Sequence, residues 1–184
     1  MNSFLSRYIF IFVTVSFSPA FGQAISDTDL SKYEVVEEGV KILTLSEVGS
    51  LEDDYLSSLE NEGCEATLPK ISNFYDSANV VANILRQGNE PYYDARRDDQ
   101  TRIARNSALL GELVTAEQEM NGLLAKRNSA WVAEAKCLIQ LGDREAGITR
   151  LMRALDFISG TNEAELWAEA RLLLWSEVGF SLPE

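Results

Sequence analysis

Apolar residues recur every three or four positions from residue 68 onward, which is the period of one face of an α-helix. This stripe consists of Leu68, Ile71, Phe74, Ala78, Val81, Ile84 and Leu85. Thr67 is a suitable N-cap, and Pro69 is tolerated in the first turn of a helix. The pattern predicts a long helix that begins near Thr67 and ends near Gln87 and Gly88.

The stretch "GNEP" predicts a turn directly after this helix. Asn89 can cap a new helix, and Pro91 suits its first turn. We expect that helix to run through the charged stretch "DARRDDQTR" to Leu110, because a charge run is typical of a solvated helix face. Tyr92 and Tyr93 are predicted to pack on the preceding helix, and the alternative is a small-ligand site at this turn.

The region before the long helix is less regular. Residues 51–59 predict a short helix, with Ser50 as its N-cap and Gly63 near its end. Residues 25–50 fit either a helix or a strand, because short apolar runs are ambiguous. We therefore predict an N-terminal helical region over residues 25–96.

A repeat becomes visible in the second half of the chain. The pairs Leu110–Gly111 and Leu141–Gly142 lie 31 residues apart, and a small residue follows each glycine after five positions. Ala135 has a counterpart at Ala170, 35 residues later. A period of this size is typical of stacked helix pairs.

This part of the chain resembles the tetratricopeptide repeat (TPR) family. The resemblance depends on Trp131, Ala135, Leu138, Gly142, Gly147, Leu151 and Ala154. It is good over residues 128–160, moderate over 97–127, where Gln100 stands in the place of the tryptophan, and partial over 163–184. It implies an all-α fold in which antiparallel helix pairs stack as a short solenoid over residues 97–184, each glycine ends the first helix of its pair, and a last helix serves as a cap. The alternative is an ordinary helical bundle.

The first 24 residues have the pattern of a secretory signal peptide. Arg7 precedes the apolar run "YIFIFVTVSF", and small residues place a cleavage site after Ala24, with Ser18 and Ala20 as an earlier alternative. A membrane anchor is the other interpretation, but about ten apolar residues are too few to cross a bilayer as a helix. We therefore expect an exported protein, periplasmic or secreted, without membrane insertion after cleavage.

The charge and composition exclude several classes of function. The net charge is −13, which repels nucleic acid and anionic membrane surfaces. The chain has no histidine, no phosphate-binding glycine loop and no nucleophile motif. We therefore predict a protein that is not an enzyme and that has no cofactor and no metal site.

Two cysteines, Cys64 and Cys137, lie in the exported part. An even number of cysteines in an oxidising compartment favours a disulfide, and two buried free thiols are the alternative. The predicted bond would tie the N-terminal helical region to the repeats.

The TPR resemblance also implies a binding surface, because the first helix of each pair lines the concave face in that family. When the groove positions of the family are carried over to this sequence, each repeat has one cation at the equivalent position. These cations are Arg105, Lys136 and Arg171. The predicted partner-binding residues are Arg105, Lys136, Gln140, Trp167, Arg171 and Trp175. Arginine and tryptophan are frequent in binding hot spots. The alternative is that the cations pair with neighbouring glutamates and that the tryptophans complete the core.

We therefore expect an exported adaptor that binds a protein or peptide, such as an acidic or C-terminal segment, through this concave face. The second hypothesis is an accessory or small-ligand-binding subunit of an envelope enzyme complex, with its specificity in the N-terminal region.

Overall fold

A computed structural model describes residues 41–182, and all regular secondary structure within this range is helical. The predicted all-α class is thereby confirmed. The helices are α1 (Leu45–Asn61), α2 (Cys64–Tyr93), α3 (Arg97–Arg105), α4 (Ser107–Gln140), α5 (Arg144–Phe157) and α6 (Ala164–Glu177). The predicted signal peptide and the ambiguous residues up to 40 lie outside the described residues.

The first helix begins earlier than predicted because Thr44 caps it. The Thr44 hydroxyl accepts from the Glu47 backbone N–H at 3.2 Å, and the Glu47 carboxylate accepts from the Thr44 N–H at 2.8 Å. This reciprocal pair is a capping box. The hydrogen bond from the Thr44 backbone is also the main reason why the pKa of Glu47 is lowered.

Helix α2 extends beyond the predicted turn at residues 88–91, and that prediction was wrong. Both Gly88 and Pro91 lie inside α2, which ends at Tyr93. Contact with α4 continues to that end, where the Tyr93 hydroxyl donates to the Glu117 carboxylate. Thr67 does not cap α2, because the helix begins at Cys64 and Thr67 is buried against Ser58 of α1.

The predicted first repeat is not present as a helix pair. Asn106 has an extended backbone and interrupts the helix expected to reach Leu110, and its side chain accepts from the N–H groups of Ala108 and Leu109 to start α4. Gly111 then lies inside α4, a continuous helix of 34 residues, and does not adopt a left-handed conformation.

The second predicted pair does form. Gly142 has a φ of 90° and follows the end of α4, as a left-handed C-terminal glycine should. Asp143 then caps α5 by accepting from the Ala146 N–H at 3.2 Å. Helix α6 follows α5 as the last helix within the described range.

Helices α1, α2, α4, α5 and α6 pack in chain order, each against the next. One apolar cluster, which includes Val48, Ile71 and Phe74, joins α1, α2 and α4. A second, which includes Trp131 and Leu151, joins α4, α5 and α6. Helix α4 therefore belongs to both parts of the core.

A disulfide joins the first residue of α2 to the last turns of α4, as predicted. Cys64 and Cys137 have Cα atoms 5.0 Å apart, and neither cysteine is free. This distance is within the usual range for bridged cysteines. Such a bond is typical of an oxidising compartment.

Candidate functional site

The predicted groove residues Trp167, Arg171 and Trp175 form one stack on α6. They are spaced four residues apart, so their side chains lie on the same side of the helix. The Arg171 guanidinium carbon lies 4.2 Å from the ring centroid of Trp167 and 4.6 Å from that of Trp175. All three side chains are partly exposed. Among the described residues no carboxylate is within ion-pair distance of Arg171.

Lys136 lies on α4 beside this stack. The Lys136 ammonium pairs with the Glu169 carboxylate of α6, which brings the last turns of α4 next to α6. Gln140 is exposed at the end of α4, and its side-chain oxygen lies 3.4 Å from Sγ of Cys64 in α2, so this predicted binding residue faces α2. We call the surface formed by Lys136, Trp167, Arg171 and Trp175 the α4–α6 groove. The predicted alternative, pairing with a neighbouring glutamate, thus applies to Lys136.

Arg105 does not belong to this surface. It lies at the end of α3, just before α4 begins, whereas Lys136 lies near the other end of α4. At 1.5 Å per residue the two positions are separated by about 40 Å along the helix. The predicted column of three cations required a helix pair that ended at Gly111, and the continuous α4 rules it out.

A second cluster of arginines, which the sequence analysis did not identify, lies between α2, α4 and α5. Arg127 of α4 is only 6% exposed. Its Nη1 donates to the Asn79 side-chain oxygen at 2.7 Å, and its Nε and Nη2 donate to that of Asn128 at 3.3 and 2.9 Å. Its guanidinium carbon lies 4.3 Å from the centroid of the Trp131 ring. Burial is the main cause that lowers the pKa of Arg127, and the nearby charge of Arg153 lowers it further.

Two arginines of α5 complete this cluster. Arg150 donates to the Tyr75 hydroxyl and to the Glu134 carboxylate, both at 3.2 Å. Burial raises the pKa of Glu134, and the charge of Arg150 opposes that shift. Arg153 is exposed, and its guanidinium carbon lies 5.2 Å from the centroid of the Trp131 ring.

These side chains surround a cavity of about 340 Å³, which we call the arginine cleft. It is lined by Tyr75, Asp76, Asn79, Arg127, Trp131, Arg150, Arg153 and Phe157. One signal for it was present in the sequence, since Arg127 and Trp131 are four residues apart and fall on one face of a helix. The approach of α5 and α2 to that face depends on tertiary packing, which spacing along the chain does not reveal.

The two surfaces offer different chemistry. The α4–α6 groove presents an arginine between two aromatic rings, which suits a carboxylate next to an apolar group. The arginine cleft is concave and carries several cationic donors. Within residues 41–182, no cluster of potential metal ligands occurs, and none of the helices is long and apolar enough to cross a membrane. Comparison of the chain with protein-family models, with curated proteins and with solved structures finds no significant match.

Proposed function

We propose that the protein is an exported, non-enzymatic binding module that holds a protein or peptide partner in the α4–α6 groove. The observation that carries the proposal is the position of Arg171, which lies between two tryptophan rings and has no carboxylate partner among the described residues. Arginine and tryptophan dominate binding hot spots because they combine a large contact area with directed hydrogen bonds.

The arrangement of the last three helices supports a short TPR-like solenoid. Helices α4 and α5 form an antiparallel pair, and α6 packs on α5 in the position of the first helix of a following repeat. The Lys136–Glu169 pair then connects two helices that, in the family this segment resembles, would line the concave face. The disulfide supports export, to the periplasm or the extracellular space.

The expected partner carries a carboxylate and a neighbouring apolar side chain, as a peptide C-terminus or an acidic segment does. The carboxylate would accept two hydrogen bonds from Arg171, and the apolar group would lie against the tryptophans. Attraction at long range is not expected to contribute, because the net charge of −13 repels anions and charges beyond about 8 Å are largely screened at physiological ionic strength.

Photo-crosslinking in the cells that produce the protein tests this surface. A benzophenone side chain in place of Lys136 lies in the groove, and the same group in place of Gln118, which is exposed elsewhere on α4, is the matched control. We expect one defined adduct from position 136 and none of that mass from position 118. Adducts that are the same at both positions would contradict a groove-specific partner.

The identified partner can then be titrated against three variants whose folding is first checked by circular dichroism. We expect Arg171→Ala to weaken binding by roughly 2–5 kcal/mol, because a desolvated charge pair is lost. Lys136→Ala removes an exposed, already paired cation and should change binding by less than about 1 kcal/mol. Arg105→Ala lies outside the groove and should bind like the parent. Parent-like binding by Arg171→Ala would overturn the proposal.

A further inference from the structure

The arginine cleft holds three guanidinium groups, of which only one is directly paired with a carboxylate among the described residues. Three guanidinium groups, those of Arg127, Arg150 and Arg153, line it together with a single aspartate, Asp76. Of the three, only Arg150 has a carboxylate within ion-pair distance in the described part of the chain, and that partner is Glu134.

The buried member of the cluster, Arg127, has no directly paired carboxylate among the described residues. Arg127 is held by the neutral amide oxygens of Asn79 and Asn128, and the Glu163 carboxylate is linked to it only through the Asn128 amide. A buried charge is unfavourable unless it is paired or well hydrogen-bonded. An arginine has five N–H donors, and only three of those in Arg127 have acceptors within residues 41–182.

Other donors in the cleft are also without acceptors. The indole Nε1 of Trp131 is buried and has no hydrogen-bond partner among the described residues. In the same part of the chain, the guanidinium of Arg153 makes no hydrogen bond or ion pair, although it lies over the ring of Trp131. An anion in the cleft would supply acceptors for Arg153 and for the remaining N–H donors of Arg127.

A second cavity, of about 520 Å³, adjoins the cleft between α2 and α4 and shares Asn79, Arg127 and Phe157 with it. Ala82, Met120 and Leu124 form an apolar wall of this second cavity, and its other lining residues are Asn83, Arg86, Glu90 and Tyr93. An apolar wall therefore lies next to the cationic groups of the cleft. Both volumes are in the range of small-molecule sites.

We propose that the arginine cleft binds a small amphiphilic anion. Its oxyanion head group, a carboxylate or a phosphate, is held by Arg127, Arg150 and Arg153, and its apolar body lies beside Met120 and Leu124. Arginine suits this head group because its planar donors match two oxygens of a carboxylate or phosphate at once. This site is distinct from the α4–α6 groove and does not depend on the function proposed for it.

Titration calorimetry on the folded, disulfide-bonded protein tests the proposal with simple probes. Octanoate and octyl phosphate carry both parts of the ligand, acetate and inorganic phosphate carry only the head group, and octanol carries only the body. We expect saturable binding of at least one of the two complete amphiphiles, and binding at least about ten-fold weaker for the three partial probes. The stronger of octanoate and octyl phosphate identifies the head group.

Two variants with the same change in net charge locate the site. Arg153→Gln alters an exposed residue at the cleft and should weaken binding about ten-fold or more, because a charged hydrogen-bond donor is lost. Arg97→Gln alters an exposed residue of α3 away from the cleft and should bind like the parent. The proposal is overturned if neither complete amphiphile binds the parent, if the partial probes bind as well, or if Arg153→Gln binds no more weakly than Arg97→Gln.

Discussion

Gly147 lies at a close contact between α5 and α4. A Cβ atom at this position would be 2.5 Å from Cγ1 of Ile139 and 3.0 Å from the backbone oxygen of Ala135. Ala135 itself is fully buried at the same contact. The small residues that carried the family resemblance therefore have a direct physical role here, which is to let two helix backbones approach.

Substitution of this glycine measures how tight the contact is. We expect Gly147→Ala to lower the free energy of unfolding by roughly 1–3 kcal/mol, because the added methyl group overpacks the contact and outweighs the better helix propensity of alanine. Gly122→Ala is the matched control, since Gly122 lies inside α4 with no atom within 4 Å of an added Cβ. The control should be stabilised by up to about 1 kcal/mol, and both values follow from urea denaturation. Equal stabilisation of both variants would show that the contact has room to relax.

At single positions, the TPR resemblance assigned Trp167, Arg171 and Trp175 to one surface. They do form a stack, because they are four residues apart on one helix. The contacts of Trp131 with Arg153 and Tyr75 join different helices. Contacts between different helices cannot be inferred from the spacing of residues along the chain, so the arginine cleft was not predicted from the sequence.

At the scale of elements, the helix ends that were predicted wrongly have a common cause. Gly88, Pro91 and Gly111 were interpreted as helix ends, yet each lies within a helix of 30 residues or more. Glycine and proline weaken a helix by about 1 and 3 kcal/mol in its interior. The packing of α2 against α4, from the Cys64–Cys137 bond to the Tyr93–Glu117 hydrogen bond, outweighs these preferences. The helix end at Gly142, which was predicted correctly, combines a glycine with a following cap, Asp143.

The disulfide joins α2 to α4 at the end of the pair where α2 begins and α4 ends. The loop between Cys64 and Cys137 spans 73 residues, and it contains nearly all of both helices. Constraining an unfolded loop of this length stabilises the folded state by roughly 4 kcal/mol in the chain-entropy model. The double variant Cys64→Ala/Cys137→Ala should lose about this much in urea denaturation.

Chemical reduction of the parent is the control for that experiment, because it opens the same loop without a change in sequence. The reduced parent and the double variant should have similar midpoints. A thiol titration that finds two free thiols in the folded, oxidised parent would contradict the bond itself.

At the scale of the whole molecule, α4 joins the N-terminal region and the repeats, which were predicted as separate domains, into one packed unit. The predicted boundary at residue 96 separated an N-terminal region from the repeats. Instead, α4 contributes Leu123 and Ala130 to the cluster with α1 and α2, and Trp131 and Ala135 to the cluster with α5 and α6. Tyr75 of α2 also borders both clusters. Because α4 contributes to both clusters, unfolding of α4 would disrupt both of them.

This shared helix predicts that the described helices unfold together. All three tryptophans, Trp131, Trp167 and Trp175, lie in α4 or α6, so their fluorescence reports on the second cluster, whereas circular dichroism reports on all helices. Ile71 is fully buried in the first cluster. We expect Ile71→Ala to remove about 2–5 kcal/mol of stability and to shift the fluorescence transition as far as the circular dichroism transition.

Leu151→Ala, at a fully buried position of the second cluster, is the reciprocal variant. It should shift both signals together as well, because opening either cluster exposes apolar residues of α4. If the clusters were separate folding units, Ile71→Ala would leave the tryptophan transition at the parent's midpoint, and circular dichroism would show two steps. A single transition in both variants is expected because α4 packs against helices on both sides of the domain boundary that was predicted at residue 96.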